Sequence, residues 1–304
     1  MYDKIISLFD SNNNIFIYTH VDPDGDTIGS ALALKHALEL KNKKVSLFYD
    51  NNISDTYSFL PGFKDINPKA KTNDVALVIS VDCADESRLC CNNTKIDINI
   101  DHHLGNSNFA KINFIDSKAA ATGEIIYDLI KHLGLDINRD IAMCLYVAIA
   151  TDTGNFAYSN TTQRTFQIVS HLLKTQIYPG EISRQIYEQM NFEQLKNLGE
   201  GLVEMKQESD GRLIWTCIDN YKDMAEVSII DYLRKVKTCK IAVVFKKVDK
   251  NNFKVSLRSK DNIDVRSFAQ RFGGGGHYFA SGFTVNGSQA EVITNVLKEL
   301  KKLF

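Results

Sequence analysis

Apolar residues in the first two-thirds of the chain follow two alternating patterns. Short apolar runs rich in β-branched residues are typical of buried strands, and longer stretches with apolar residues at helical spacing lie between and after them. The predicted strands are 15–19, 45–49, 75–81 and 96–100. The predicted helices are 27–41, 121–134 and 140–151. This alternation predicts an α/β fold in which helices cover a parallel sheet.

Strand-like runs return in the last third of the chain, after a polar stretch that favours helix. Residues 179–208 contain few strand formers, and Pro179 stands where the first turn of a helix accepts proline. Later strands are predicted at 213–218, 240–248, 253–259 and 283–285, before a helix within 288–304. A chain of 304 residues is long enough for two domains. We therefore expect a first domain over 1–185, a helical linker over 186–209 and a smaller α/β domain over 210–304.

The composition excludes several broad classes of protein. Hydrophobic residues make up 44% of the chain and charged residues 24%, which argues against a disordered or fibrous protein. The sequence has no apolar run of about 18 residues, so we expect no membrane span. The acidic first 14 residues do not have the pattern of a secretory signal. The six cysteines form no CxxC pair, so we expect reduced thiols in a cytoplasmic protein.

Charge is divided unevenly along the chain. Residues 210–304 contain 17 Lys and Arg against 10 Asp and Glu, whereas residues 1–209 contain 19 basic and 27 acidic residues. An acidic first part can hold cations, and a basic second part can hold an anionic ligand. Domains often differ in charge without a functional reason, so this division only slightly favours a phosphorylated substrate.

Aspartates and histidines cluster at the ends of the predicted strands. They form four groups: His20 with Asp22, Asp24 and Asp26; Asp82; Asp101 with His102 and His103; and Asp152. Three groups directly follow predicted strands, and the fourth follows an apolar helix. Open parallel sheets bind their ligands at the edge where the strands end. We therefore expect these side chains to meet at one site.

The residue types in this cluster suit two divalent cations. Four aspartates would balance the charge of two dications, and two histidines add nitrogen ligands that shift preference away from calcium and magnesium. The candidate ligands are Asp24, Asp26, Asp82, Asp152, His20 and His102. The lack of cysteine argues against a structural zinc site. The alternative for any single aspartate is a turn or helix cap, the interpretation we favour for Asp22.

Two residues in the first group are expected to shape the backbone. Pro23 should hold Asp22 extended, because proline restricts the residue before it. Gly25 should let the chain turn tightly between Asp24 and Asp26.

A glycine-rich segment, GGGGH at 273–277, is a second candidate site. Four glycines let a backbone approach a ligand and present N–H groups to an anion. Arg258 and His277 can bind phosphate oxygens. Stacking on bases is open to three neighbouring aromatic residues, Phe272, Tyr278 and Phe279. The alternative is a flexible linker between a helix and a strand.

These residues resemble the motifs of the DHH phosphoesterase superfamily. HVDPDGD (20–26), Asp82, DHH (101–103) and Asp152 match its four motifs in order. GGGGHYFASG (273–282), with SLRSK (256–260) upstream, resembles its C-terminal substrate-binding domain. At this length the chain is most similar to the NrnA-type oligoribonucleases, which also dephosphorylate 3′-phosphoadenosine 5′-phosphate (pAp). The resemblance implies a DHH catalytic domain over 1–185 and a DHH-associated domain over 210–304.

The resemblance also implies roles for individual residues. It places one metal ion on His20, Asp24 and Asp82, and a second on Asp26, Asp82, His102 and Asp152, so that Asp82 bridges the two. It implies that His103 faces the phosphate and acts with Asp82 and Asp101 in catalysis. The implied substrate-binding residues are His103, Arg258, Ser259, Gly273, Gly274, Gly275, Gly276 and His277.

The chain departs from the family pattern at two positions. Asp22 stands where Asn is frequent, and Ala157 stands where Arg is common. The second departure removes one phosphate contact, which we expect Arg164 or Arg258 to supply instead.

The expected function is hydrolysis of short oligoribonucleotides, of about two to five nucleotides, together with removal of the 3′-phosphate of pAp. Two divalent ions are expected as cofactors, with manganese preferred and magnesium as the alternative. One alternative function is a phosphodiesterase for linear or cyclic dinucleotides such as pApA, pGpG or c-di-AMP. The non-enzymatic alternative is a nucleotide- or RNA-binding protein. No membrane partner is expected, and a homodimer is left open.

Overall fold

The computed structural model describes residues 1–49, 53–66, 76–91, 94–218 and 229–304. The chain divides into two compact units, Met1–Ile186 and Tyr187–Phe304. Among the described residues, no helix has both the length and the apolar character needed to cross a membrane.

The first unit is built on a parallel sheet. Its strands are β1 (Asn14–Tyr18), β2 (Lys44–Phe48), β3 (Leu77–Val81), β4 (Ile98–Asp101) and β5 (Ile112–Ile115). They lie in the order β2-β1-β3-β4-β5, and every neighbouring pair is parallel. The chain runs from β1 outward to β2 and then returns to β3 on the other side of β1. This reversal opens a crevice at the carboxyl ends of β1 and β3, where parallel sheets bind ligands.

Six helices of the described part of this unit surround the sheet. They are α1 (Tyr2–Ser11), α2 (Gly25–Leu40), α3 (Thr122–His132), α4 (Arg139–Asp152), α5 (Gln163–Leu173) and α6 (Pro179–Tyr187). Helix α2 is buried along nearly all of its length. It packs closely on α4, because a Cβ atom added at Gly29 would lie 2.4 Å from the carbonyl oxygen of Cys144. This close packing sets the position of Asp24 and Asp26, at the start of α2, relative to Asp152 at the end of α4.

The second unit contains a mixed sheet. Its strands are β6 (Lys206–Glu208), β7 (Leu213–Ile218), β8 (Ile241–Lys247), β9 (Asn252–Ser259), β10 (Gly275–His277) and β11 (Ala280–Asn286). The strand order is β10-β11-β9-β8-β7-β6, with β7 and β8 parallel and the other neighbours antiparallel. Its helices are α7 (Phe192–Val203), α8 (Ile229–Arg234), α9 (Val265–Gln270) and α10 (Gln289–Leu300).

The two faces of this second sheet bury separate apolar clusters. Phe245, Val255 and Leu257 pack on one face with residues of α9 and α10. Ile214 and Val244 pack on the opposite face with residues of α7 and α8. The stretch that we predicted as a linker, 186–209, therefore contains a helix whose apolar side belongs to the core of the second unit.

The predicted α/β class is confirmed, with one sheet in each of the two units. All four predicted strands of the first sheet are present within a few residues, although Val75 lies outside the described residues. Helix α3 ends near Gly134, whose φ of 70° lies in the left-handed region that glycine adopts readily at the ends of helices. The pattern missed β5, β6 and β10, because each is a short strand without an extended apolar run, and β6 lies at the end of the stretch 179–208 that favoured helix. Residues Gly275–His277 of GGGGH thus form an edge strand, so the segment is not simply a flexible linker.

Candidate metal centre

The four groups of polar residues lie at element ends beside the carboxyl edge of the parallel sheet. His20 follows β1 and forms an isolated antiparallel bridge with Leu89. Asp24 is the N-cap of α2, and its Oδ1 accepts a hydrogen bond from the Thr27 N–H at 3.1 Å. Asp101 ends β4, and Asp152 ends α4. The fold therefore brings all four groups to one place.

Asp82 turns the chain immediately after β3. Its φ of 57° lies in the left-handed region, which aspartate tolerates better than most residues. Its N–H still donates to the Ile100 carbonyl at 2.9 Å, so the backbone stays tied to β4 while the side chain is redirected. Asp82 is 2% exposed.

His20, Asp24 and Asp82 form the first group of candidate ligands, with donor atoms within 4.8 Å of one another. The Thr27 hydroxyl lies among them, 2.8 Å from His20 Nε2, 3.1 Å from Asp24 Oδ1 and 2.6 Å from Asp82 Oδ2. His20 Nδ1 lies 2.6 Å from the Val21 carbonyl, which can only accept. Neutral His20 therefore carries its proton on Nδ1 and directs the lone pair of Nε2 toward the hydroxyl.

This arrangement provides one hydroxyl proton for three acceptors. The hydroxyl of Thr27 can donate to His20, Asp24 or Asp82, but to only one of them at a time. Asp24 Oδ1 also accepts the Thr27 N–H, so the conflict lies between His20 Nε2 and Asp82 Oδ2, of which only one can receive the hydroxyl hydrogen at a time. A cation among these three ligands would remove the conflict, so the residues present fit a metal ion.

Asp26, His102 and Asp152 form the second group. His102 Nε2 lies 3.4 Å from Asp152 Oδ2 and 3.7 Å from Asp26 Oδ2. The other ring nitrogen, Nδ1, lies 3.2 Å from the Ala119 carbonyl, which turns Nε2 toward the carboxylates. Histidines that bind metals commonly use one nitrogen in this way, to fix the tautomer and the ring orientation.

Asp26 is held at the start of α3. Its carboxylate accepts the backbone N–H groups of Thr122 at 2.7 Å and Gly123 at 3.0 Å, and the Ser30 hydroxyl at 2.8 Å. The Asp26 carboxylate thus accepts two N–H groups of the first turn of α3, whose N-cap Ala121 has no side chain able to do so. Asp26 therefore has a fixed orientation toward His102.

Asp82 lies between the two groups and turns one oxygen toward each. Oδ2 lies 3.9 Å from His20 Nε2, and Oδ1 lies 3.9 Å from His102 Nε2. Each oxygen also accepts a threonine hydroxyl, since Thr122 donates to Oδ1 at 2.9 Å and Thr27 to Oδ2 at 2.6 Å. This is the geometry in which one carboxylate can bind two cations.

The buried carboxylates carry more negative charge than their surroundings balance. Burial and the neighbouring carboxylates raise the pKa of Asp26 and Asp82, and burial above all raises the pKa of Asp152 to about 7. Burial acts to lower the pKa of His102, but the surrounding carboxylates, Asp152 first, raise it to about 10. A site of this kind attracts cations, and its oxygen and nitrogen donors suit divalent metals.

His103 forms a short hydrogen bond with Asp101, which belongs to neither of the two groups of candidate ligands. The distance from His103 Nδ1 to Asp101 Oδ1 is 2.6 Å, and Asn106 donates to Oδ2 at 2.5 Å. Burial would raise the pKa of Asp101, but the hydrogen bonds and the His103 charge lower it to about 2. Burial would also lower the pKa of His103, and Asp101 raises it instead. Asp101 therefore orients His103 and favours its protonated form.

Four polar residues that contact the candidate ligands or Asp101 were not singled out from the sequence. They are Thr27, Ser30, Thr122 and Asn106. Thr27 carried a weak signal, because it stands three residues after the N-cap Asp24, where side chains often join the cap. Thr122 contacts Asp82 across 40 residues, so the sequence held no local signal for it. Ser30 and Asn106 lie only four and five residues after the aspartates that they contact.

Two expectations about the backbone of the first motif were wrong. Asp22 has a φ of 52°, so it is left-handed and not extended. Asp22 is exposed and belongs to neither group, so it stays outside the candidate ligands. The chain must turn here because Val21 still donates its N–H to the Arg88 carbonyl. Gly25 has no positive φ; a Cβ there would lie 2.5 Å from the Thr151 side chain. Gly25 is therefore required by packing against α4 and not by a tight turn.

Arg164, one of two expected phosphate contacts, is engaged by three carboxylates. Its guanidinium lies 3.5 Å from Asp116 and 3.8 Å from Glu124, and it also pairs with Asp128. These contacts tie α5 to α3. Of the two arginines, we therefore keep only Arg258 as a candidate phosphate ligand.

In the second unit, the candidate residues fall on different sides of the sheet. Ser259 is 3% exposed and donates its hydroxyl to the Ile263 carbonyl at 2.6 Å, on the face opposite Arg258. A Cβ at Gly274 would lie 2.2 Å from the Gly282 carbonyl, and one at Gly276 2.5 Å from the Ala280 carbonyl. These two glycines thus permit the close pairing of β10 with β11, whereas Gly273 and Gly275 have open space around them.

A two-domain α/β protein with this buried set of carboxylates and imidazoles belongs to the class that binds divalent metal ions at the edge of a parallel sheet. The model of the DHH family, N-terminal domain, matches residues 14–149, and the model of the DHHA1 domain matches residues 210–304. The chain belongs to the DHH family, as its motifs indicated.

Similar proteins extend over nearly the whole chain. The bifunctional oligoribonuclease and PAP phosphatase NrnA of Thermus thermophilus is 31% identical over 280 residues, covering 90% of this chain and 84% of the relative. A probable NrnA of Streptococcus mutans is 28% identical, covering 100% and 99%. The crystal structure of an exopolyphosphatase-related protein from Bacteroides fragilis matches with a TM-score of 0.89 at 26% identity, covering 99% and 96%.

Proposed function

We propose that this chain is a metal-dependent phosphoesterase that hydrolyses short oligoribonucleotides to mononucleotides and removes the 3′-phosphate of pAp. The observation that carries the proposal is the position of Asp82, with one oxygen 3.9 Å from His20 Nε2 and the other 3.9 Å from His102 Nε2. The named activities of the relatives from Thermus thermophilus and Streptococcus mutans support the choice of substrates.

In this proposal six residues hold the two metal ions, and one of them, Asp82, binds both. His20, Asp24 and Asp82 bind one ion, and Asp26, Asp82, His102 and Asp152 bind the other. Two bound divalent ions supply Lewis-acid polarisation of the phosphoryl group and a water nucleophile at neutral pH. We expect manganese to activate best and magnesium less well, since geometry and availability, rather than intrinsic affinity, select manganese.

The chain's own residues then position and stabilise the substrate. Asp101 holds His103 and raises its pKa, so His103 can donate a hydrogen bond to a phosphoryl oxygen or a proton to the leaving group. Arg258 and His277 bind a further phosphate or the sugar of the nucleotide. The threonine hydroxyls of residues 27 and 122 keep the Asp82 carboxylate in its orientation.

A substrate panel tests this proposal. The purified protein would be stripped with EDTA, reloaded with manganese or magnesium, and incubated with pAp, a dinucleotide and a pentanucleotide, with products separated by chromatography. Metal-dependent hydrolysis of the pentanucleotide and of pAp is expected. Hydrolysis confined to linear or cyclic dinucleotides would favour a dinucleotide phosphodiesterase, and binding without hydrolysis would favour a nucleotide-binding protein. Full activity with magnesium and inhibition by manganese would contradict the metal assignment.

Two broader properties belong to the same proposal. None of the six cysteines, all within the described residues, forms a disulfide, which suits the reducing conditions of the cytoplasm. We therefore propose a cytoplasmic enzyme that acts on small phosphorylated substrates. A homodimer is an open alternative to a monomer, and sedimentation analysis would decide between them.

A further inference from the structure

A pair of adjacent cysteines lies at the end of a segment that pairs with the chain around His20. Residues 88–90 run antiparallel to residues 19–21, and Cys90 donates its N–H to the Thr19 carbonyl at 3.0 Å. The isolated bridge of His20 joins the same two segments. A movement of the backbone at Cys90 is therefore transmitted to a candidate metal ligand.

The side chains of this pair, Cys90 and Cys91, are half-buried and contact each other. A hydrogen bond joins the two thiol groups. It lowers the pKa of Cys91, although burial opposes this effect, and together with burial it raises the pKa of Cys90. Cys91 therefore ionises before Cys90, and the thiolate is the form of cysteine that reacts with oxidants.

The other four cysteines do not share these properties. Cys83, Cys144 and Cys239 are buried, and burial raises the pKa of each thiol. Cys217 is half-buried, but neither of its neighbours in the chain is a cysteine. Among the six cysteines, all within the described residues, only the pair therefore offers an oxidant two adjacent thiols outside the core.

We propose that Cys90 and Cys91 are a redox modification site, which hydrogen peroxide converts to a vicinal disulfide that weakens metal binding through His20. The Cys91 thiolate attacks one peroxide oxygen, so that an S–O bond forms, the O–O bond breaks and hydroxide leaves. Cys90 then attacks the Cys91 sulfur, so that the S–S bond forms and the S–O bond breaks with release of water. The two thiols are oxidised by two electrons, and the peroxide is reduced to two water molecules, which take up both thiol protons.

A disulfide between adjacent residues is strained and should be reversible. Adjacent Cα atoms lie about 3.8 Å apart across a trans peptide bond, whereas the usual Cα spacing in disulfides is about 4.4–6.8 Å. Strained disulfides are easily reduced, so an added thiol should restore the original state.

Closure of the disulfide also changes contacts beside the metal centre. The Cys90 sulfur lies 3.5 Å from the Phe48 carbonyl and must leave this position to bond with Cys91. The N–H of Cys90, which donates to the Thr19 carbonyl, carries the shift to the chain beside His20. This connection to the metal rests on the proposed function, in which His20 is a ligand.

Mass spectrometry and manganese calorimetry on the full-length protein test this proposal. Metal-free protein is treated with hydrogen peroxide, and the peroxide is removed before each measurement. The peptide that contains both cysteines should lose the mass of two hydrogen atoms. Manganese affinity should fall about tenfold, the usual effect of disturbing a residue that supports a metal ligand. Dithiothreitol should reverse both changes.

Cys91→Ser and Cys217→Ser are the matched variants, since each removes one half-buried thiol. Cys217→Ser should respond to peroxide as the wild type does, whereas Cys91→Ser should keep its manganese affinity after treatment. Cys90→Ser removes the other partner and should be equally insensitive. The proposal would be overturned by a wild type that forms no disulfide, by a disulfide from either cysteine to a distant one, or by equal losses of manganese affinity in the wild type and Cys91→Ser.

The outcome is separable from that of the proposed function, because neither measurement uses a nucleotide. A disulfide that lowers manganese affinity, in a protein that hydrolyses none of the substrates, would retain the modification site and reject the activity. Hydrolysis of pAp by a protein whose thiols all survive peroxide would retain the activity and reject the modification site. A disulfide that forms without any change in manganese affinity would reject the connection to His20.

Discussion

The Thr27 hydroxyl lies between three candidate metal ligands, at 2.6–3.1 Å from each. Its contacts with Asp24 and Asp82 limit the orientations of both carboxylates before any metal binds. Loss of such supporting contacts typically weakens metal binding roughly 10- to 100-fold. We expect this loss in Thr27→Val, measured by manganese titration calorimetry, with recovery in Thr27→Ser. Equal manganese affinity in the wild type and Thr27→Val would show that the hydroxyl does not orient these ligands.

Asp82 is the residue whose loss should be most severe. Asp82→Ala removes both oxygens that face the two ligand groups, and no other carboxylate among the described residues has this position. We expect no detectable turnover and a loss of bound metal by elemental analysis.

The matched control for Asp82 is Asp22→Asn, which changes an exposed aspartate of the same site region that lies outside both groups. It should retain activity within a few-fold of the wild type. An inactive but folded Asp22→Asn protein would require a different ligand assignment.

At the scale of elements, the site depends on close packing of α2 against α4. Gly29→Ala would place a methyl group 2.4 Å from the Cys144 carbonyl oxygen, which is backbone and cannot rotate away. We expect a loss of about 2 kcal/mol in the free energy of unfolding, in the range typical of overpacked cores. Chemical denaturation followed by circular dichroism measures this change.

Gly180→Ala is the matched control for Gly29→Ala. Gly180 also lies in a helix of the first unit, but a Cβ there would have no neighbour within 4 Å. This variant should be as stable as the wild type or slightly more stable, because alanine favours helix over glycine. If Gly29→Ala and Gly180→Ala lowered the free energy of unfolding equally, the cause would be the change from glycine to alanine in a helix and not the contact between α2 and α4.

At the scale of the whole molecule, metal should stabilise one unit and not the other. The candidate ligands all lie in Met1–Ile186, where buried carboxylates repel one another without a cation. A ligand that binds only the folded state raises its stability by mass action. EDTA should therefore lower the unfolding temperature of the first unit and leave that of the second unchanged, as read by scanning calorimetry. A calorimetric trace that EDTA does not alter would contradict a metal site in the first unit.

The two units should also contribute to different properties of the enzyme, the first unit to metal binding and the second to substrate binding. Arg258→Ala should keep the metal content of the wild type and lose kcat/KM on short nucleotides by about 10- to 150-fold, the usual effect of one charge-assisted contact. A reporter ester with one phosphate and no nucleoside should be much less affected, because it offers Arg258 nothing to bind.

Arg271→Ala serves as the control for Arg258→Ala, since Arg271 pairs with Glu299 of α10 and is not a candidate substrate-binding residue. It should behave as the wild type on both substrates. Equal losses on the nucleotide and the reporter ester in Arg258→Ala would show that Arg258 does not act as a substrate contact.

The sequence by itself determined the class of fold and the candidate ligands. Apolar periodicity follows directly from which side of a strand or helix is buried, so most elements could be located. The ligands lie in short motifs at strand ends, and parallel strands bring such ends to one edge of a sheet. His20, Asp82 and His102 were therefore predictable as neighbours without knowledge of the packing.

The tertiary structure alone decided which side chains support those ligands and which face of the second sheet is basic. Thr122 contacts Asp82 across 40 residues, and Arg164 contacts Asp128 across 36, distances at which the sequence carries no local signal. The register of β9 with its neighbours separates Arg258 from Ser259 and groups it with Lys254 instead. Register depends on pairing between distant segments, and a shift of one residue exchanges the two faces, so no local pattern could establish it.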